Sequence, residues 1–321
     1  MTLIAPTKGE KDVDRTGGAI VTPAGLHPLR ALIVALGLLL AGATGTVSER
    51  ADVEAWQAQR SKSLTSENGW LTLEGLFWLK EGENSFGRAS ANALVLDHHA
   101  LPDVAGSFVL AGGHVRFVAR PGSGVTLDGK AVESVELQPD TAESPTILAA
   151  GTLRFFAIER AGRLGVRVRD IDSPRRRDFR GLEYFPVDAA WAFDARFEPY
   201  EPVHHIRILN VLGMEEDSIS PGALVFTKNG REWRLDAVLE EPDAQELFIM
   251  FADATSGRET YGAGRFMYVS LPQNGHVPLD FNKAYNPPCA FTDFATCPLP
   301  PRQNRLALRV EAGEKKYRAA E

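Results

Sequence analysis

Residues 279–306, LDFNKAYNPPCAFTDFATCPLPPRQNRL, hold most of the side chains in this sequence whose types and spacing could do chemistry. Asp280, Asn282, Tyr285 and Asn286 form a polar knot between Pro278 and Pro287, and Tyr261 and Arg265 come from the segment just before it. One carboxylate, two amides, a phenol and a guanidinium are the few polar groups that orient a small ligand in an otherwise apolar pocket. Such a pocket would be lined by Trp233, Tyr261 and Arg265. A second reading uses the same groups differently: Asn and Asp side chains beside proline satisfy backbone groups that an irregular loop leaves without ladder partners. Cys289 and Cys297, the two cysteines of the chain, stand eight positions apart. They read as a disulfide if the chain is exported, as two reduced buried thiols if it is not, or as a metal or catalytic pair. His276 is the nearest imidazole in sequence, and the His204-His205 pair would point its rings to opposite faces of a strand. Two thiolates without a neighbouring His make a poor zinc site, so no metal is expected.

A second group is cationic. Residues 160–180 carry eight Arg against three Asp in a chain whose net charge is -7. Arg167, Arg169 and Arg180 are candidates for an anion site, since the planar guanidinium matches carboxylate and phosphate. The competing reading is structural, with Arg167 and Arg169 alternating around Val166 and Val168 as the exposed face of a strand. There is no Gly-x-Ser-x-Gly elbow, no His-Glu-x-x-His, no Walker loop and no Gly-x-Gly-x-x-Gly after a strand. No cofactor is expected, and the catalytic residues, if there are any, carry no motif.

The elements that must position these groups are mostly strands. The 321 residues, 44% hydrophobic and 24% charged, suit one large core or two modest ones. The acidic balance argues against nucleic acid as a partner. Val53, Trp56, Arg60 and Leu64 recur at helical spacing over 48–66. From Gly69 on, short runs alternate with turn dipeptides. Gly112-Gly113 and Asp128-Gly129 predict tight hairpins in the first half, and Asn229-Gly230 predicts another between 223–227 and 232–239. In the last of these strands Trp233, Leu235 and Ala237 share one face. Further strands are expected at 203–212, 246–252 and 259–271. The fold class expected is mainly β: an N-terminal helix, a β-sandwich, and an antiparallel meander curled into a barrel or half-barrel and closed by the 279–306 loop. The corresponding units are 44–78 (helix and connection), 79–171 (sandwich) and 172–321 (barrel-like).

Two resemblances bear on these units. Gly87-Arg88 within EGENSFGR, followed by a strand and hairpins, resembles a forkhead-associated domain, a β-sandwich whose active members read phosphothreonine. The Ser-x-x-His element of that family has no counterpart in HHALPDVAGSF, residues 98–108. Over a longer span, a set of motifs is similar to an uncharacterised bacterial family catalogued as domain of unknown function 1684. The set is Gly69-Trp70-Leu71, Arg169-Asp170, Phe185-Pro186, Ser220-Pro221-Gly222, GRETYGAGRF, Asp280-Phe281-Asn282, Asn286-Pro287-Pro288-Cys289-Ala290, Cys297-Pro298, Asn304 and Glu311-Ala312-Gly313-Glu314. This resemblance implies no particular chemistry.

Ala31 to Ala41, ALIVALGLLLA, follows Arg30 and precedes small residues, the layout of a signal peptide over 1–43 with cleavage at Ala41-Gly42-Ala43. Uncleaved, the segment would be a membrane anchor. The expected protein is thus exported, periplasmic, and touches a membrane only through that segment. Its expected function is binding a small molecule, or serving as a scaffold, in the cell envelope. The alternatives are a hydrolase-type enzyme with a site around Asp280 and Cys289, and a structural or interaction module.

Overall fold

A computed structural model describes residues 44–319. The apolar run at 31–41 and the cleavage motif at 41–43 lie outside the described residues. The described residues begin with helix α1 (Thr44–Leu64). Its predicted stripe is real: Val53 and Leu64 are buried, and the Trp56 ring tilts against Tyr285 at 6.2 Å. Arg60, on the same stripe, donates from Nε to Glu314 (3.0 Å) and from Nη2 to the Asn286 carbonyl (2.8 Å). The helix is therefore docked on the far C-terminal part of the chain. Among the described residues no helix is long and apolar enough to cross a membrane.

Eleven strands follow: β1 (Leu73–Trp78), β2 (Gly82–Gly87), β3 (Leu94–Val95), β4 (Gly106–Ala111), β5 (His114–Ala119), β6 (Thr126–Leu127), β7 (Lys130–Ala131), β8 (Ser134–Leu137), β9 (Leu148–Ala150), β10 (Leu153–Arg160) and β11 (Arg163–Asp170). They form two sheets, in the orders β1-β11-β10-β9-β6-β7 and β3-β2-β4-β5-β8. The inner faces meet in an aromatic cluster of Phe86, Phe108, Phe117 and Phe155. Each of these fully buried rings contributes about 2–3 kcal/mol of transfer free energy. The hairpin dipeptides do what their types predict. Asp128 and Gly129 take φ of 51° and 76°, the left-handed pair whose twist matches that of the flanking strands.

A short helix, α2 (Pro174–Arg177), leads to a third sheet built from β12 (Ala192–Leu209), β13 (Glu215–Lys228), β14 (Arg231–Leu239), β15 (Glu246–Phe251), β16 (Arg265–Ser270) and β17 (His276–Asp280). Its order, β16-β15-β14-β13-β12-β17, brings the two end strands near one another, so the sheet is a nearly closed barrel. Asn229 and Gly230 turn β13 into β14 with φ of 56° and 70°. Leu235 and Ala237 point into the barrel core with Trp233 packed against it, and Phe226, Phe251 and Phe281 fill the centre. The strand expected over 259–271 is shorter, because residues 255–261 fold into a tight turn in which Thr255 and Thr260 hydroxyls meet at 2.9 Å.

The Pro-rich segment after β17 runs over the barrel and covers a sparsely bonded seam. β14 and β15 share one ladder pair, Val238 with Phe248. Where they part, Asn304 is inserted. Its Nδ2 donates to the carbonyls of Asp236 and Met250 (both 2.8 Å), and its Oδ1 accepts from the Asp236 N–H (2.7 Å). One buried amide thus stands in for the missing ladder bonds.

Candidate functional site

The knot residues do not converge on one point. Asp280 caps the 3-10 turn that follows β17, its Oδ1 accepting from the Asn282 N–H (2.9 Å) and from Asn282 Nδ2 (2.8 Å). Asn282 also exchanges hydrogen bonds with the Asp188 backbone, which ties this turn to the start of the barrel. Asn286 is fully buried; its N–H donates to Glu314 Oε2 (2.8 Å) and its Nδ2 to the Lys315 carbonyl (2.7 Å). Tyr285 is buried beneath the Arg60 guanidinium, 4.6 Å from its ring centre, and burial pushes its hydroxyl far above the ordinary tyrosine range. Tyr261 donates to the Cys289 carbonyl (3.0 Å), and burial, then the nearby Cys289, push its own ionisation up to about 12.

Arg265 overturns the expected geometry most clearly. It is fully buried, and it pairs at 3.4 Å with the equally buried Asp253. Its nitrogens donate to the carbonyls of Val310 (2.9 Å), Ala312 and Glu314. Gly313, at φ 77°, sits in the strand of chain held this way, where a Cβ would come within 2.5 Å of the Ala284 carbonyl. Arg265 is thus a clamp on residues 310–314, with no side-chain face left for a ligand. Trp233 packs on the barrel core and donates to the Lys228 carbonyl. None of Trp233, Tyr261 and Arg265 lines the cavity that the described residues form beside α1.

A cavity of about 340 Å³ lies instead between α1, β17 and the turn after β17. Val53, Val187, Phe193, Pro278 and Leu279 give it an apolar wall, and Arg50, Lys283, Asp280 and Asn282 line it with polar groups. Two of the residues picked from sequence, Asp280 and Asn282, are therefore at a cavity, alongside a helix residue that sequence reasoning did not connect with them. Arg50 and Lys283 carried no motif; only the docking of α1 brings them to one place.

The second cluster lies on the outer face of β11. The alternation of Arg167 and Arg169 around Val166 and Val168 predicts an exposed face, but Arg167 is 1% exposed. Trp70 contributes to the cover, its ring lying under both guanidinium groups at 5.8–5.9 Å, and Cys297 lies near enough to act on the charge of Arg167. Three arginines meet here. Arg160 makes a two-point pair with Asp140 (2.6 and 3.0 Å). Arg169 donates to the carbonyls of Asn68 and Gly69 and to the Thr72 hydroxyl. Arg167 keeps Nε and Nη2 without a hydrogen-bond partner. Burial, then the charge of Arg160, bring the Arg167 guanidinium down to about 10, so it remains a cation at neutral pH. Arg180, exposed and ten residues past the end of β11, is not held on this face.

Cys289 and Cys297 belong to the same region. They are two free thiols, Cys289 half-buried and Cys297 buried, rather than the disulfide read from sequence. The eight-residue loop nonetheless brings them together: the Cys289 N–H donates to Cys297 Sγ at 3.1 Å. The Cys297 hydrogen bond holds the Cys289 thiol below its ordinary value against the opposing effect of burial, and Arg167 adds to that lowering. Burial drives Cys297 well above its ordinary value.

Residues 177–315 match the family model described as Protein of unknown function (DUF1684). Over these residues the chain belongs to this family. The DUF1684 match covers the barrel and its closing segment, so Asn282, Asn286, Cys289, Cys297 and Asn304 all fall within it. The chain is also similar to an uncharacterized protein of Haloarcula marismortui known from a solution NMR structure, at 32% identity over 44% of this chain and 79% of that one, with a TM-score of 0.38. No curated protein matches.

Proposed function

We propose that this DUF1684 chain is an exported binding protein for a small amphipathic carboxylate, seated in the cavity between α1 and β17. The observation that carries this reading is the composition of the cavity wall: a run of apolar side chains beside two cations, Arg50 and Lys283. The one acidic group there, Asp280, already has Oδ1 engaged by Asn282, so the cations have no dedicated partner in the wall. An apolar body with one carboxylate complements that arrangement, and the volume is within the range of small-molecule sites. The hydrolase reading needs Asp280 and Cys289 at one place, and Cys289 is not among the residues that line this cavity.

Decanoate is a suitable probe. Calorimetric titration should give saturable one-to-one binding, weakened about tenfold or more by Lys283→Glu, which sets a negative charge against the carboxylate. Equal binding by wild type and Lys283→Glu would remove the proposal. Export rests on the Ala31–Ala41 run and the small residues after it. N-terminal sequencing of the chain recovered from a periplasmic fraction should begin at Thr44; an intact N-terminus in the cytoplasmic fraction would count against it.

A further inference from the structure

An unpaired cation inside a protein is costly unless a counter-charge faces it. Arg167 is such a cation. Of the groups around it, Asp140 is engaged by both terminal nitrogens of Arg160, while Arg160 and Arg169 add like charge. The remaining groups in its field that can become negative are the two thiols, Cys289 and Cys297. The geometry distinguishes them. Cys289 is half-buried and reachable from solvent, whereas Cys297 is buried and already accepts the Cys289 N–H through its sulfur.

We propose that Cys289 and Cys297 are a redox-active dithiol, in which Cys289 is the attacking thiolate with Arg167 as its counter-ion and Cys297 is the resolving thiol, and that its substrate is a small hydroperoxide. Four features support the assignment of roles. The charged groups that face Cys289 are Arg167 from β11, which favours the thiolate, and Asp293 from the intervening loop, which opposes it. The hydrogen bond from Cys297 outweighs the effect of burial and lowers Cys289 further. Tyr261, whose hydroxyl is bound to the Cys289 carbonyl, stays neutral through the physiological range. Cys297, pushed up by burial, keeps its proton and so can donate it.

The reaction balances as two steps. The Cys289 thiolate attacks the terminal oxygen of the hydroperoxide; the S–O bond forms, the O–O bond breaks, and the departing alkoxide takes a proton from solvent to leave as alcohol. Cys289 is then a sulfenic acid. Cys297 sulfur attacks it, the S–S bond forms, the S–O bond breaks, and hydroxide leaves as water with the Cys297 proton. The dithiol has lost two electrons and two hydrogens, and the peroxide has become alcohol and water.

The test uses the full chain, reduced, with iodoacetamide and hydrogen peroxide as probes. Alkylation of Cys289 should follow a titration with a midpoint below the free-thiol value of about 8.5, while Cys297 stays unmodified in the folded chain. One equivalent of peroxide should remove two hydrogens from the intact mass, and Cys297→Ser should instead gain one oxygen, localised to Cys289. Arg167→Gln should raise the alkylation midpoint and slow oxidation about tenfold. Because that substitution is buried, Arg167→Lys serves beside it, keeping the charge and the low midpoint. A wild-type midpoint at or above that of the urea-unfolded chain would overturn the proposal. So would oxidation of the two thiols at equal rates.

Discussion

Replacing Arg265 by Met tests the reassignment of this residue from ligand contact to clamp. The side chains of Arg265 and Asp253 are both fully buried, and the pair is reinforced by the carbonyls of Val310, Ala312 and Glu314 on one side and by the Val310 N–H (2.7 Å) and Thr255 hydroxyl (2.9 Å) on the other. Met fills much of the aliphatic volume but leaves the Asp253 carboxylate buried without its cation, and orphans at least two carbonyls. Breaking one partner of a buried pair costs about 3–5 kcal/mol, and that range is the expected loss. Because orphaned groups supply much of the cost, Asp253→Asn in the Arg265→Met background should add less than its own single-variant loss, with a coupling of about 2 kcal/mol. Urea denaturation of the four proteins gives the energies, and amide exchange at residues 308–314 should report the release of the clamped segment first. A loss under about 1 kcal/mol, or strict additivity, would refute the clamp.

Three further outcomes follow from the same structure. Asn304→Ala removes three buried hydrogen bonds at the β14–β15 seam and should cost about 2–4 kcal/mol in urea denaturation, with exchange protection lost at Asp236. Asn286→Asp places a carboxylate beside Glu314 in a fully buried site and should lower the melting temperature without changing decanoate affinity, since Asn286 does not line the cavity. Burial pushes the Asp170 carboxyl up, but hydrogen bonds, among them those from the Asp172 N–H (3.0 Å) and His98 (3.3 Å), outweigh it and hold the group below its ordinary range. Its stabilising share is therefore complete above the unfolded value of about 3.9 and is lost as pH falls through the lower folded value; Asp170→Asn should flatten that acid limb of the stability profile.

The architecture was largely legible because its signals are local. Dipeptides such as Asn229-Gly230 specify left-handed turns by their own chemistry, and the alternation in β14 assigns its faces without knowledge of any partner. Helix α1 was likewise visible in the spacing of Val53, Trp56, Arg60 and Leu64. The site was less legible, since each error was one of cover. Arg167 has the local pattern of an exposed strand residue, and nothing in residues 160–180 reveals that Trp70, far earlier in the chain, lies against it or that Cys297, far later, comes near it. Arg265 looked available because its partners at 310–314 are backbone carbonyls, which no side-chain pattern announces. Asp280 and Asn282 were found, but Arg50 joins them across the whole length of the described chain. Asn304 was noted within a motif, and its role depends on a gap between two strands that sequence spacing does not encode.

The most direct test of the binding proposal is a heteronuclear NMR titration of the isotope-labelled chain with decanoate. Binding in the cavity predicts saturable shifts confined to Arg50, Val53, Ala189, Phe193, Leu279, Asn282 and Lys283 and their neighbours. Shifts that fail to saturate, or that map to another part of the chain and leave these residues unmoved, would contradict it.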